Sequence, residues 1–288
     1  MASTINTNIS AMSAQRYLAT TQNTLAVSMA RLSSGLRVNS AKDDAAGLAI
    51  AERMTSQVRG MNVGVRNAND GISMAQTAEG ALGKVGEIFQ RMRELAVQSA
   101  NATNSDSDKN SLDTEFGELA KEVQRIFSNT TFNGLKIIAD DADELIFQVG
   151  ANTSVDNQIT IETENLLQDS FMVGVVGDNL SPQVDVRQVI TGAFADVKTV
   201  IEAIDDAIKK VSDERSVLGA SQSRFESAIS YLQISTENQT AARSRIMDAD
   251  FAQETANLSR AQILSQAGSA MLAQANQLPQ SVMALLRG

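Results

Sequence analysis

Apolar residues recur at seven-residue spacing along most of this chain, and the recurrence predicts long helices. Ala11, Leu18, Leu25 and Leu32 stand seven apart, with Ile5 and Met12 in a parallel row, so a first helix is expected over about residues 6–32. Ser33-Ser34-Gly35 then supplies a stop, with Gly35 free to turn left-handed. Ser40-Ala-Lys-Asp43 has the spacing of a capping box, Asp standing in for Glu, and is expected to open a longer second helix. Its stripe runs through Leu48, Ala51, Met54, Val58, Met61, Val65, Ala68 and Ile72. The stripe continues through Ala75, Leu82, Val85, Phe89, Met92 and Ala96, stepping by three and four from Leu82 onwards. A polar turn over 101–108 precedes a third helix carrying Leu112, Phe116, Leu119, Val123, Ile126 and Phe127 on one face.

Between Leu135 and about Ser181 the period falls to two. Leu145, Phe147 and Val149 alternate, as do Ile159 and Ile161, with Gly150-Ala-Asn-Thr between them, which predicts a small hairpin. A fourth helix, expected after Pro182, holds Val197, Ile201, Ile204, Ile208, Val211, Leu218, Phe225, Ile229 and Leu232, with Arg215, Gln222, Thr236 and Gln239 keeping register as polar members. The last helix, from about Asp250, places Leu264, Met271, Leu278 and Leu285 seven apart beside a run of small residues around Gly268. The expected fold is mainly α: an elongated antiparallel helical bundle or coiled coil, with paired N- and C-terminal helices and a small central β-hairpin region at about 131–181.

Charge sharpens this picture. The 288 residues carry 34 acids against 24 bases, yet residues 1–42 and 255–288 contain no acid. Solvated helices are normally laced with Glu and Lys. Amphipathic ends without them suit surfaces that other molecules cover, and such ends are expected to stay loose until a neighbour covers them. That asymmetry points to a self-assembling subunit. The acidic balance disfavours nucleic acid, which binds through cations, and nothing approaches the ~20 apolar residues of a membrane insertion. The N-terminus lacks the pattern of a cleaved signal peptide.

Candidate chemistry is thin. There is no Cys and no His, which closes thiolate catalysis, the Ser-His-Asp arrangement and the common zinc sites. The acid cluster around Asp140, Asp143 and Glu144 lacks the spacing of a calcium loop and reads as a solvated turn, and Asn69-Asp-Gly71 is not a phosphate loop. Most Asn-x-Ser/Thr matches in this Asn-, Ser- and Thr-rich chain are expected to be chance, and methionines on the helical stripes are expected to fill cores. No enzyme activity, cofactor or metal is expected.

Several long motifs then carry a resemblance. Ser33-Ser-Gly-Leu-Arg-Val-Asn-Ser-Ala-Lys-Asp-Asp-Ala-Ala-Gly-Leu-Ala-Ile-Ala51 and Ile5-Asn-Thr-Asn8 resemble the N-terminal signature of bacterial flagellins. Arg93-Glu-Leu-Ala-Val-Gln-Ser-Ala-Asn101, Ala242-Arg-Ser-Arg-Ile246, Asp250-Phe251, Ala261-Gln-Ile-Leu-Ser-Gln-Ala-Gly268 and Met271-Leu-Ala-Gln-Ala-Asn-Gln-Leu-Pro-Gln280 resemble later stretches of the same family. The match covers roughly 1–140 and 185–288, in order.

The resemblance implies a short flagellin without large outer domains, a structural subunit that polymerises into the helical filament propelling the cell; the alternative is a hook–filament junction (hook-associated) protein. It implies an inner-tube domain from 1–42 and 247–288, and an outer-tube bundle from 43–246. Ile5, Ile9, Met12, Leu18, Leu25, Leu32, Leu264, Met271, Leu278 and Leu285 then become inner-tube and subunit-interface residues. Leu82, Phe89, Met92, Leu119, Val123, Ile201, Ile204, Ile208, Leu218, Phe225 and Leu232 become the bundle core. Thr20, Thr21, Gln22 and Asn23 are expected to line a wet channel. Implied partners are other copies of the chain, an export chaperone on the C-terminal segment, and filament-cap and hook-junction proteins. The resemblance also implies type III export, which would place the product outside the cell, in the flagellum, without a cleaved signal. Arg91, Leu95 and Glu115 match positions through which some flagellins contact the vertebrate flagellin-sensing Toll-like receptor, although bundle packing is their expected native role.

Overall fold

The computed structural model describes residues 7–140, 142–168, 175–176 and 194–287, without the side chains of 194–196 and 278–287. Helix α1 spans Ile9–Ser34, α2 Ala45–Ser99, α3 Asp106–Asn129, α4 Phe194–Met247 and α5 Phe251–Arg287. Two antiparallel hairpins lie between α3 and α4 in sequence: β1 (Thr131–Phe132) with β2 (Leu135–Lys136), and β3 (Glu144–Gln148) with β4 (Gln158–Glu162). The fold is mainly α, as the heptads predict. Ile5, the start of the fourth helix after Pro182 and most of the stretch 169–181 lie outside the described residues.

The chain divides into two compact units: Met1–Ser56 with Glu237–Gly288, and Gln57–Thr236. Both boundaries fall inside helices, so α2 and α4 each belong to both units.

In the first unit, α1 and α5 pair antiparallel. Asn8 Nδ2 donates to the Ala275 carbonyl at 2.7 Å near one end, and Arg31 faces Glu254 at 3.9 Å near the other. Gly35 ends α1 at φ 71°, its N–H donating to Arg31 O at 2.8 Å, which is the left-handed stop its sequence predicts. Beyond it the two linkers are tied together. Arg37 N donates to Met247 O at 2.6 Å, Ala249 N to Gly35 O at 3.0 Å, and Arg37 Nη2 to Ile246 O at 2.7 Å.

The expected capping box at Ser40–Asp43 does something else. The Asp43 carboxylate accepts from Asn39 N, Ser40 N and Ser40 Oγ at 2.9–3.2 Å, and so closes the turn before the helix. Asp44 is the true cap of α2, accepting from Gly47 N at 2.8 Å. Asp250 caps α5 in the same way, accepting from Ala252 N and Gln253 N.

The second unit holds the main core. Leu82, Phe89, Met92, Val123, Ile204, Leu218 and Phe225 are buried there, with Leu119, Ile201 and Ile208 half-buried against them. Leu232 is buried as well. Burial of each such side chain contributes roughly 1.5–3 kcal/mol. Hairpin β3–β4 packs on α2 and α4: Phe147 meets Phe225 edge to face at 5.5 Å, and Asn67 Nδ2 donates to Gln148 O at 2.8 Å. Gly64 lets the backbone at Val149 approach, because a Cβ there would overlap the Val149 carbonyl. The β1–β2 turn places Asn133 at φ 50° and Gly134 at φ 85°, the geometry that Asn-Gly favours.

Candidate assembly surface

Heptad geometry puts two parallel apolar rows on α1 and two on α5, and the structure separates them. The α1 row of Ala11, Ala14, Leu18, Thr21, Leu25, Ser28 and Leu32 is buried or half-buried and steps by three and four. Its counterpart on α5 is Glu254, Leu258, Ala261, Ser265, Gly268, Leu272 and Ala275, in the same stepping. Small members let the helices approach: a Cβ on Gly268 would stand 3.3 Å from Leu18 Cδ1. Leu18, Leu25 and Leu32, expected at a subunit interface, therefore lie on the intrachain seam.

Leu264 and Met271 are displaced from that seam and exposed, as are Ile9 and Met12 on α1. The side chains of Leu278 and Leu285, and all of Ile5, lie outside the described residues. The sequence reading missed further members of the exposed set, namely Tyr17, Val27, Met29, Phe251 and Ile263. Nine of the eighteen exposed large apolar side chains among the described residues thus sit on α1 and α5. Singly exposed apolar residues are ordinary, but this density on two helices with few charges is not. A groove of about 700 Å³ runs between the helices, with Tyr17, Leu18, Leu264, Gly268 and Met271 in its walls. Its chemistry is that of a site for apolar side chains.

Of the few charges here, Arg16 and Arg260 are exposed, while Arg31 and Glu254 face the seam. Glu254, the last acid of the chain, is buried with its carboxylate 3.9 Å from Arg31 Nη1. Glu254 is the buried member and Arg31 the half-buried one, so sliding the helices would leave the Glu254 charge buried without its cation, which discriminates register. Thr20 and Thr21 donate their hydroxyls to Arg16 O and Tyr17 O, one turn back. Thr21 is half-buried on the seam; Thr20, Gln22 and Asn23 remain exposed.

On the bundle, Arg91 Nε and Nη2 donate to Glu115 Oε1 at 3.1 and 2.9 Å, joining α2 to α3, and Nη1 donates to Glu94. Glu115, then Glu94, raises the Arg91 pKa above its ordinary value. Arg93 pairs bidentately with Asp205 at 2.6 and 3.2 Å, joining α2 to α4, and Asp205 raises its pKa likewise. Leu95 is only 1% exposed and belongs to the core. The three residues matched to receptor contact are therefore two exposed, ion-paired side chains and one buried one. Among the described residues no cluster of acids fit for a metal ion is present, and no helix is long and apolar enough to cross a membrane.

Comparison with known proteins completes the picture. Residues 5–143 match the bacterial flagellin N-terminal helical region, and 201–286 match the bacterial flagellin C-terminal helical region. A flagellin of Halalkalibacterium halodurans is 44% identical over 283 residues, covering 98% of this chain and 99% of that one. A flagellin of Xenorhabdus nematophila is 45% identical over 313 residues, with both chains fully covered. A putative flagellar hook-associated protein from Vibrio parahaemolyticus shares the fold with a TM-score of 0.57 at 14% identity, covering 72% of this chain and all of that one. Two terminal helical regions matched in order, on relatives aligned over almost their whole length, make the chain a member of the bacterial flagellins, the structural subunits that polymerise into the helical flagellar filament.

Proposed function

We propose that this flagellin makes its inner filament contacts through the exposed apolar residues of α1 and α5, with the α1–α5 seam holding each subunit's own pair in register. One observation carries the reading: among the described residues, half of the exposed large apolar side chains lie on two helices that have almost no charge to keep them in water. Ile9, Met12, Leu264 and Met271 are the contact residues, and Leu18, Leu25 and Leu32 support them from the seam.

Residues 1–42 and 247–288 form the inner-tube layer and 43–246 the outer-tube bundle. Export proceeds unfolded and without a cleaved signal, a chaperone holds the C-terminal segment before export, and cap and hook-junction proteins meet the subunit outside the cell. Receptor contact, where a host is met, rests on exposed Arg91 and Glu115, while Leu95 serves packing.

Seeded elongation tests this reading. Purified chain added to filament seeds is expected to grow long helical tubes visible by negative-stain electron microscopy, and Leu264→Glu is expected to stop growth. Persistent short rings would instead favour the hook–filament junction role, and undiminished growth of the Leu264→Glu chain would contradict the assigned surface.

A further inference from the structure

Methionine is unevenly exposed in this chain. In the bundle, Met61, Met74 and Met92 are 6%, 3% and 0% exposed, whereas on α1 and α5 Met12, Met29 and Met271 are 62%, 56% and 62% exposed. The expectation that methionines on the helical stripes fill cores holds for Met61 and Met92 and fails for Met12 and Met271. Met271 also borders the groove between the helices, opposite Tyr17. An accessible thioether is open to two-electron oxidants, and its sulfoxide is a polar, chiral group in place of a flexible apolar one.

We propose that Met12, Met29 and Met271 are oxidation sites through which peroxide controls assembly: the free subunit is oxidised there, and the sulfoxides block its addition to a filament. The step is an oxygen transfer. The thioether sulfur attacks one oxygen of hydrogen peroxide, an S–O bond forms as the O–O bond breaks, and sulfur is oxidised by two electrons. The departing hydroxide takes the proton left on the transferred oxygen and leaves as water. Oxidation leaves the seam intact, because none of the three belongs to it. What changes is the outer surface, where a sulfoxide pressed against an apolar neighbour loses its hydrogen bonds to water without replacement. Once assembled, the same residues are covered and resist attack.

The inference rests on α1 and α5 making the subunit contacts, and its test keeps the two claims apart. Full-length monomer is treated with hydrogen peroxide, quenched, mapped by peptide mass spectrometry and added to seeds; the Met12→Leu, Met29→Leu, Met271→Leu triple variant is run in parallel. Each of the three peptides is expected to gain one oxygen, about 16 Da. The critical concentration of the wild type is expected to rise about tenfold, which corresponds to ~1.4 kcal/mol per subunit. The triple variant, whatever its own critical concentration, is expected to show the same value before and after peroxide, and methionine sulfoxide reductase is expected to return the oxidised wild type to its original value. Unchanged polymerisation of the oxidised wild type, or an equal loss in the triple variant, overturns the proposal. So does failure of the reductase to restore assembly after the three sulfoxides are reduced. Failure of untreated wild type to elongate seeds overturns the assembly reading itself.

Discussion

Ser105 and Asp108 close the start of α3 reciprocally: Asp108 N donates to Ser105 Oγ at 3.3 Å, while the Asp108 carboxylate accepts from Ser105 N at 3.0 Å and Ser105 Oγ at 2.7 Å. Those hydrogen bonds hold the Asp108 carboxyl below the ordinary aspartate value of 3.8, the hydroxyl contributing most. A depressed folded value means stability present above 3.8 and lost as pH falls through the folded pKa. Asp108→Asn is therefore expected to lower the melting temperature at neutral pH, with the gap closing as pH falls below that range; a gap that persists in acid would refute it. Ser105→Ala is expected to cost about 1 kcal/mol. At Gly64 the limit is steric. Gly64→Val drives a side chain into the Val149 carbonyl and is expected to cost about 1–3 kcal/mol by thermal unfolding, whereas Gly80→Ala, with open space around it, is expected to stabilise by up to ~1 kcal/mol. Equal effects would remove the hairpin contact from the account. Residues of this kind differ in how visible they are beforehand. The left-handed Gly35 follows from Ser-Ser-Gly after a heptad run, since the stop is local. Gly64 gives no local sign, because what it accommodates lies far along the chain. At α2 the local signal existed and pointed four residues early: Ser40 and Asp43 do bond, but to close a turn, and Asp44 takes the helix.

At the scale of elements, the helices of this chain were readable because each stripe has a period and an end. The α2 stripe from Leu48 to Ala96 is buried or half-buried throughout, as its spacing requires. Choosing between parallel rows was harder. On α5 the large residues Leu264 and Met271 mark one row, and a smaller row of Ala261, Gly268 and Ala275 makes the seam with α1. Spacing alone does not say which row meets which partner, and with no acid after Glu254 there is no charged face to mark water. Close approach decides it, because small residues bring backbones together while bulky ones flank the contact. Glu254 itself is informative for the same reason: it is placed on the seam and answers Arg31. Breaking that pair one side at a time leaves the other charge stranded. Arg31→Met is accordingly expected to impair seeded elongation more than Arg31→Met combined with Glu254→Leu, measured as critical concentration. An equal or greater loss in the double variant would remove the pair from the account of register. The β1–β2 hairpin around Asn133-Gly134 gives no strand signal in the sequence, since two residues on each side are too short to show alternation.

Over the whole molecule, the two units carry different kinds of stability. The bundle unit buries Phe89, Phe116, Phe127 and Phe225 completely, and such a core holds without help from neighbours. Between α1 and α5 the terminal unit fully buries only alanines, Ser28 and Glu254, half-buries its seam leucines, and leaves Ile9, Met12, Tyr17, Phe251, Leu264 and Met271 exposed. On the proposed assembly, that contrast ties the stability of the termini to their coverage by neighbouring copies. Removing residues 1–42 or 247–288 is expected to abolish elongation while leaving the main thermal transition of the bundle in place. Loss of that transition would show the termini to be part of the same cooperative core. The net charge of -10, carried mostly away from the termini, keeps free subunits apart and soluble. On the proposed assembly, α1 and α5 present their exposed apolar residues to other copies. The most direct measurement is a cryo-EM map of filaments grown from the purified chain. The account predicts Ile9, Met12, Leu264 and Met271 within about 4.5 Å of neighbouring subunits, with Leu18 and Gly268 paired inside each chain. A map in which those four side chains face water or the channel, and contacts run only between bundles, would contradict it.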